Sequence, residues 1–300
     1  MRTLIIRPAA LGDTLMLAPA LSDSHEWAEV IVAGRRPGID FLSPLVSSCL
    51  DFEGQGWHSL FMDVPDSDLT LPVREADKVM AFLNDPQGGV RKNLERFFPG
   101  ASIAVLPGYP GKDEPVHVAL YLARALENHG FPIDAEKVMK ESVKRPLLLF
   151  SQRPRLRIVF HPGSGGEQKN HPPEFWLNLI RAFQEKMSPT QERPVFLLGP
   201  AEENLFPLFS EVENLRILLS PDKDELLLLL QEALLYVGHD SGISHLAAMM
   251  GASTIALFRH ASVKQWRPLG PKVKVIESDT SGPGLIEETL RAGGEFIALP

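Results

Sequence analysis

The chain has 300 residues, enough for about two domains with a sizeable core in each. With 30 Lys+Arg against 38 Asp+Glu its net charge is −8 and both halves are acidic, which disfavours a nucleic-acid-binding protein. A hydrophobic content of 44% argues against disorder, and a single cysteine, Cys49, can form neither an internal disulfide nor a structural zinc site, which fits a reducing, cytoplasmic compartment.

Leu4-Ile5-Ile6 after Arg2 has the look of a secretory signal, but Arg7, Pro8 and Asp13 interrupt its apolar core. Nor does any run approach the roughly 18 apolar residues of a spanning helix. Residues 3–6 read as a buried strand, followed by a turn at Leu11-Gly12-Asp13 and a helix starting near Thr14. Residues 29–33 and 102–106 are further strands, and 116–129 has helical spacing. The stretch 144–157 is rich in Arg and Pro, lacks a clear period, and reads as the domain boundary. A second set follows, with strands at 157–160, 194–198, 234–237 and 254–258 and helices at 173–186 and 224–233. Short apolar runs alternating with helical patterns predict two α/β units with parallel sheets.

Ligands in such sheets bind beyond the carboxyl ends of strands, so three loops stand out. In Ala10-Leu11-Gly12-Asp13-Thr14 the glycine permits a close approach, and Asp13 either caps the helix or faces a substrate hydroxyl as a base. His161-Pro162-Gly163-Ser164-Gly165-Gly166 leads to Lys169; its amides can converge on an anion, although a glycine-rich loop before a helix needs no ligand. In Gly238-His239-Asp240-Ser241-Gly242 the start of a helix is offered to an anion, with His245 one turn in. Simple capping by Asp240 or Ser241 fits that segment equally well. Two anion-suited loops in the second unit and a carboxylate in the first describe a sugar-transfer enzyme with a diphosphate donor.

The same residues carry a resemblance. Residues 2–21, with Ile5-Ile6-Arg7, Ala10-Leu11-Gly12-Asp13-Thr14-Leu15 and Pro19-Ala20-Leu21, resemble the opening of the glycosyltransferase family 9 heptosyltransferases. His161-Pro162-Gly163-Ser164-Gly165 with Lys169 and Trp176 resembles that family's middle motif. Asp240-Ser241-Gly242 through His245-Leu246-Ala247-Ala248 resembles its signature. The resemblance implies a GT-B fold, two Rossmann-like domains whose parallel sheets face a central cleft. It places an acceptor domain at 1–150, a nucleotide-sugar domain at 151–284, and a terminal helix at 285–300 that packs back on the first domain.

It further implies inverting, metal-independent transfer from a nucleotide diphosphate sugar, ADP-heptose in characterised members, to a lipopolysaccharide-core or glycolipid acceptor, with no cofactor. Asp13 matches the general base, and Lys169 the group that stabilises the leaving diphosphate. Gly12, Thr14, Ser164, Gly165, Lys169, Glu225, Asp240, Ser241, Gly242 and His245 match donor contacts, Glu225 being preferred over Asp224 for the nucleoside. Acceptor residues are not identified. Arg35, Arg36, Arg91 and Lys92 are read as a solvated face, the alternative being contact with an anionic acceptor or a membrane surface. After Phe258 the family continues with glycine and proline where this chain has Arg259-His260. The competing readings are a GT-B-like epimerase or hydrolase and a non-catalytic nucleotide-sugar-binding protein.

Overall fold

In the computed structural model, which describes residues 1–23, 29–63, 70–111, 114–150, 153–186 and 192–297, the apolar runs become two parallel sheets, one in each of two units. The units are Met1–Glu141 and Ser142–Pro300. The boundary therefore falls before residue 150. Leu147 and Leu148 are buried, and both backbone amides donate to the Met249 carbonyl, so this stretch already belongs to the second unit. Residues 151, 152 and 298–300 of the expected segments lie outside the described residues.

The first sheet contains β1 (Arg2–Arg7), β2 (Glu29–Gly34), β3 (Ser48–Asp51), β4 (Lys78–Phe82) and β5 (Ser102–Leu106), in the order β3-β2-β1-β4-β5. Strand β1 is central: Ile5 aligns with Val32 on one side and Met80 on the other. Leu4, Ile5 and Ile6 are fully buried, as a parallel strand covered on both faces requires. Leu4, Ile6, Ile31, Val79, Trp57 and Leu94 form the core on one face. The helix expected from Thr14 is two short helices, Leu11–Leu15 and Ala18–Leu21, the second carrying Pro19 near its start where a missing amide is tolerated.

The second sheet contains β6 (Arg157–His161), β7 (Val195–Leu198), β8 (Arg216–Leu219), β9 (Ala233–His239), β10 (Ser253–Phe258) and β11 (Val273–Glu277). Its order is β11-β10-β9-β6-β7-β8, all parallel. Helices Pro173–Lys186 and Pro283–Ile297 pack together over this sheet, burying Trp176, Phe183, Leu285 and Ala292 against Phe160, Leu235 and Ile255. The terminal helix begins at Pro283, two residues before the expected segment. Its apolar face is used in the core of the second unit, where a Cβ on Gly293 would lie 2.8 Å from the Phe183 ring.

Candidate active site

In parallel sheets the ligand crevice opens at the carboxyl edge where strand order reverses. In the second sheet that point lies between β6 and β9, the strands that feed the two anion-suited loops. In the first it lies between β1 and β4, and β1 feeds Gly12 and Asp13.

Asp240 leaves β9 almost buried, its amide donating to the Leu257 carbonyl at 3.1 Å. Lys169 Nζ donates to Asp240 Oδ2 at 2.7 Å, and His245 Nε2 lies 3.8 Å from the other oxygen. Ser241 is the N-cap of helix Gly242–Met249, its Oγ accepting from the Ser244 amide at 3.3 Å. The cap is thus Ser241 and not Asp240, whose carboxylate is directed to Lys169. The remaining first-turn amides of a helix have no intrahelical acceptor and carry its positive dipole end. Lys169, Asp240, Ser241, Gly242 and His245 are therefore assembled at one edge.

Ser164 Oγ donates to the Gly166 carbonyl at 2.9 Å and closes a local turn. A Cβ on Gly165 or Gly166 would meet nothing within 4 Å, so this part of the loop is open. Ser164 and Gly165 line a pocket of about 440 Å³ with Asn170, His171, Trp176 and Glu202. Lys169 and Asp240 are not among the residues lining it, so one loop carries two adjoining features.

Glu225 stands in the first turn of the helix that follows β8. It is exposed, its Oε2 accepts from the Asp222 amide at 3.1 Å, and its own amide donates to Asp222 Oδ1, a reciprocal cap of helix Lys223–Gln231. The acidic residue brought to the Ser164–Gly166 turn is Glu202, which the sequence reading missed. Its Oε2 accepts from the Gly199 amide at 3.0 Å, and burial pushes its carboxyl above the usual range. A side chain on Gly163 would collide with it. The signal was present as Gly199-Pro200-Ala201-Glu202 at the end of β7.

Behind the loops lies a layer of histidines that sequence reasoning also missed. His239 Nδ1 donates to the Pro162 carbonyl at 2.7 Å, so its Nε2 is free to accept from the His171 amide at 2.9 Å. His171 Nδ1 meets Ser281 Oγ at 2.8 Å, and His161 Nδ1 meets the Tyr236 hydroxyl at 3.1 Å. The Tyr236 ring lies over Gly238, where a Cβ would come within 2.6 Å of its hydroxyl. Ser244 Oγ donates to the His239 carbonyl, tying this layer to the capped helix. Burial pushes His161 and His171 down to about 4 and His239 to about 3, so all three are neutral at pH 7.

In the first unit the helix Leu11–Leu15 has Ala10 as its N-cap, without a side-chain cap, so Asp13 does not serve that purpose. Asp13 and Gly12 are half-buried. Thr14, expected among the donor contacts, is fully buried with its hydroxyl donating to the Ala9 carbonyl at 3.2 Å, which shapes the turn. Two further residues surround Asp13. Arg7, at the end of β1, is 1% exposed and donates to the carbonyls of Asp13 at 3.0 Å and Gly108 at 2.8 Å. Its guanidinium carbon lies 5.3 Å from the centre of the Tyr109 ring. Burial, then the Asp13 charge and a hydrogen bond to the Asp13 side chain, hold the Tyr109 phenol above its ordinary range. Asp13 thus sits between a buried cation and a phenol donor.

Three of the four surface basic residues are already paired: Arg35 with Glu53 at 3.1 Å, Arg36 with Asp40 and Asp51, and Arg91 with Glu95 at 3.0 Å. That is the arrangement of a solvated face. Among the described residues no helix is long and apolar enough to cross a membrane.

The family model for glycosyltransferase family 9 (heptosyltransferase) matches residues 109–289. The structure of E. coli heptosyltransferase WaaC with ADP is similar at TM-score 0.71 and 15% identity, over 98% of this chain and 100% of that one. A glycosyl transferase family 9 structure from Veillonella parvula gives TM-score 0.73 and 15% identity, over 99% and 97% of the two chains. E. coli ADP-heptose lps heptosyltransferase II gives 0.71 and 18%, over 99% of both. Comparison with curated proteins yields no match.

Proposed function

The chain belongs to glycosyltransferase family 9 and is a glycosyltransferase of GT-B fold, and from that premise we propose an inverting, metal-independent transfer of heptose from ADP-heptose to a lipopolysaccharide-type glycan. The observation that carries this reading is the Lys169–Asp240 pair at the start of helix Gly242–Met249, set where strand order reverses. It is an anion site with a fixed carboxylate beside it, as a sugar diphosphate needs. The ADP bound in the similar E. coli enzyme supports the nucleotide.

The chemistry follows from where charge develops. As the glycosidic bond to the leaving diphosphate breaks, the anomeric carbon becomes cationic and the diphosphate gains negative charge. The Lys169 ammonium, which has three donors and gives one to Asp240, and the first amides after Ser241 stabilise that charge. Asp240 and His245 hold the lysine and the helix start in place. The pocket beside Ser164 and Gly165 accepts the nucleoside, with Glu202 rather than Glu225 as its acidic contact. Asp13 takes the proton of the acceptor hydroxyl as that oxygen attacks. Tyr109, bonded to the Asp13 side chain, and Arg7, bonded to the Asp13 backbone carbonyl, orient that base. We place the reaction in the cytoplasm, consistent with a lone thiol, Cys49, that burial pushes up to about 11 and so keeps unreactive.

Incubation with labelled ADP-heptose, and with UDP- and GDP-sugars, in the presence and absence of core glycan tests this reading. Label transferred only from the ADP sugar and only with acceptor is the expected result. Binding without turnover for every acceptor would instead identify a nucleotide-sugar-binding protein.

A further inference from the structure

Arg259 is a cation that the reading above leaves unused. It follows β10 and emerges at the same carboxyl edge as Asp240, which is bonded to Leu257 of that strand at 3.1 Å. Its Nη1 donates to the Asn170 carbonyl at 2.8 Å, one residue beyond Lys169. Its Nε is buried without a hydrogen-bond partner, and no carboxylate among the described residues pairs with it. Asn170 Oδ1 and His171 Nε2, in the segment that Arg259 holds, are likewise buried and unpartnered.

A half-buried guanidinium opposed only by a neutral carbonyl is costly unless an anion completes it. The neighbouring groups do not supply one. Lys169 and Asp240 neutralise each other at 2.7 Å, and the facing His171 and His239 are neutral at pH 7, held down by burial with the Arg259 charge contributing.

We infer that Arg259 binds an oxyanion of the phosphate class, the diphosphate of the donor, and supplies the net positive charge that the Lys169–Asp240 pair does not. The identification of that anion as part of a nucleotide sugar rests on the reading above; the anion subsite itself does not. Arg259 offers a planar fork of donors suited to phosphate oxygens, and helix Gly242–Met249 starts after β9, the strand adjacent to β10.

The test is calorimetric titration of the full chain with ADP, adenosine and inorganic pyrophosphate, comparing wild type, Arg259→Gln and Arg259→Lys. Thermal melts serve as the folding control. Loss of one charge-assisted contact predicts roughly ten- to hundredfold weaker ADP and pyrophosphate binding in Arg259→Gln. Adenosine binding should stay within about twofold, and Arg259→Lys should recover most of the loss. ADP affinity unchanged in Arg259→Gln overturns the inference and leaves the donor reading standing. An equal loss for adenosine and ADP also overturns it, since Arg259 would then only hold the loop at Asn170. Pyrophosphate binding that requires Arg259, with ADP no tighter than pyrophosphate, supports the subsite while sinking the nucleotide reading. Wild type that binds neither anion overturns both.

Discussion

Lys169 and Asp240 are 71 residues apart in sequence and joined at 2.7 Å, so one bond fastens the loop after β6 to the loop after β9. The carboxylate end is 6% exposed and the ammonium end 38%, so the two partners are not equivalent. Removing the lysine strands a buried charge, whereas removing the aspartate releases a cation to solvent. Lys169→Met should therefore destabilise the chain by about 1–2 kcal/mol, well below the figure for a fully buried pair because Lys169 is partly solvated. The double variant with Asp240→Asn should regain part of that loss. Urea denaturation of the two single variants and the double variant measures this. A double variant worse than the sum of the singles would exclude the asymmetry.

Tyr109 donates to the Asp13 side chain, and a bond to the ionised form lowers the pKa of a carboxyl group. In Tyr109→Phe the acidic limb of kcat/KM should move upward by about 0.7 unit, the equivalent of one hydrogen bond near 1 kcal/mol. A merely structural tyrosine would lower activity at every pH without moving the limb.

The buried histidines make stability depend on pH. Burial holds His161 and His171 near 4 and His239 near 3 in the folded chain, against about 6.5 when unfolded. Between those values the unfolded chain binds more protons, so stability rises with pH; it is fully present above about 6.5 and is lost as pH falls. Three such groups give a slope of up to about 4.1 kcal/mol per pH unit. His161→Gln should remove roughly a third of the histidine part of that slope between pH 6 and 5. Denaturant midpoints against pH provide the check, and an unaltered slope counts against the assignment.

Adjacent glycines in the terminal helix should respond oppositely. Gly293 is buried against Phe183, and Gly293→Val should cost about 2 kcal/mol or more through overpacking. Gly294 is exposed and faces open space, so Gly294→Ala should stabilise the helix by up to about 1 kcal/mol. Thermal melts with opposite signs are expected. A neutral Gly293→Val would mean that this helix is not seated on Phe183.

The strands that were legible in the sequence are the ones buried on both faces. Leu4-Ile5-Ile6 and Leu235-Tyr236-Val237 are continuous apolar runs because helices cover both sides of the sheet. Strands β3, β8 and β11 went unread because they are short, half-exposed edges whose residues alternate without a clear pattern. Strand β4 is buried, but its five residues sit in a Pro- and Asp-rich stretch that hid them. At the site, Lys169, Asp240 and Ser241 were visible because glycine-rich loops mark the ends of parallel strands.

Glu202 and His239 were not visible, because their placement depends on distant backbone. Glu202 fits only because Gly163 has no side chain, and the tautomer of His239 is set by the Pro162 carbonyl 77 residues away. Arg7 was quoted as part of a motif, yet its burial beneath Asp13 and Tyr109 is a tertiary fact. Glu225 shows a second role that the sequence pattern leaves open: an acidic residue at a helix start also caps that helix, with Asp222.

The most direct test of the account is transfer of labelled heptose from ADP-heptose to core glycan by wild type and Asp13→Asn, with ADP affinity measured on both. The account predicts a fall in kcat of about 10²–10⁴ with ADP binding unchanged within about twofold. Full turnover in Asp13→Asn would contradict it.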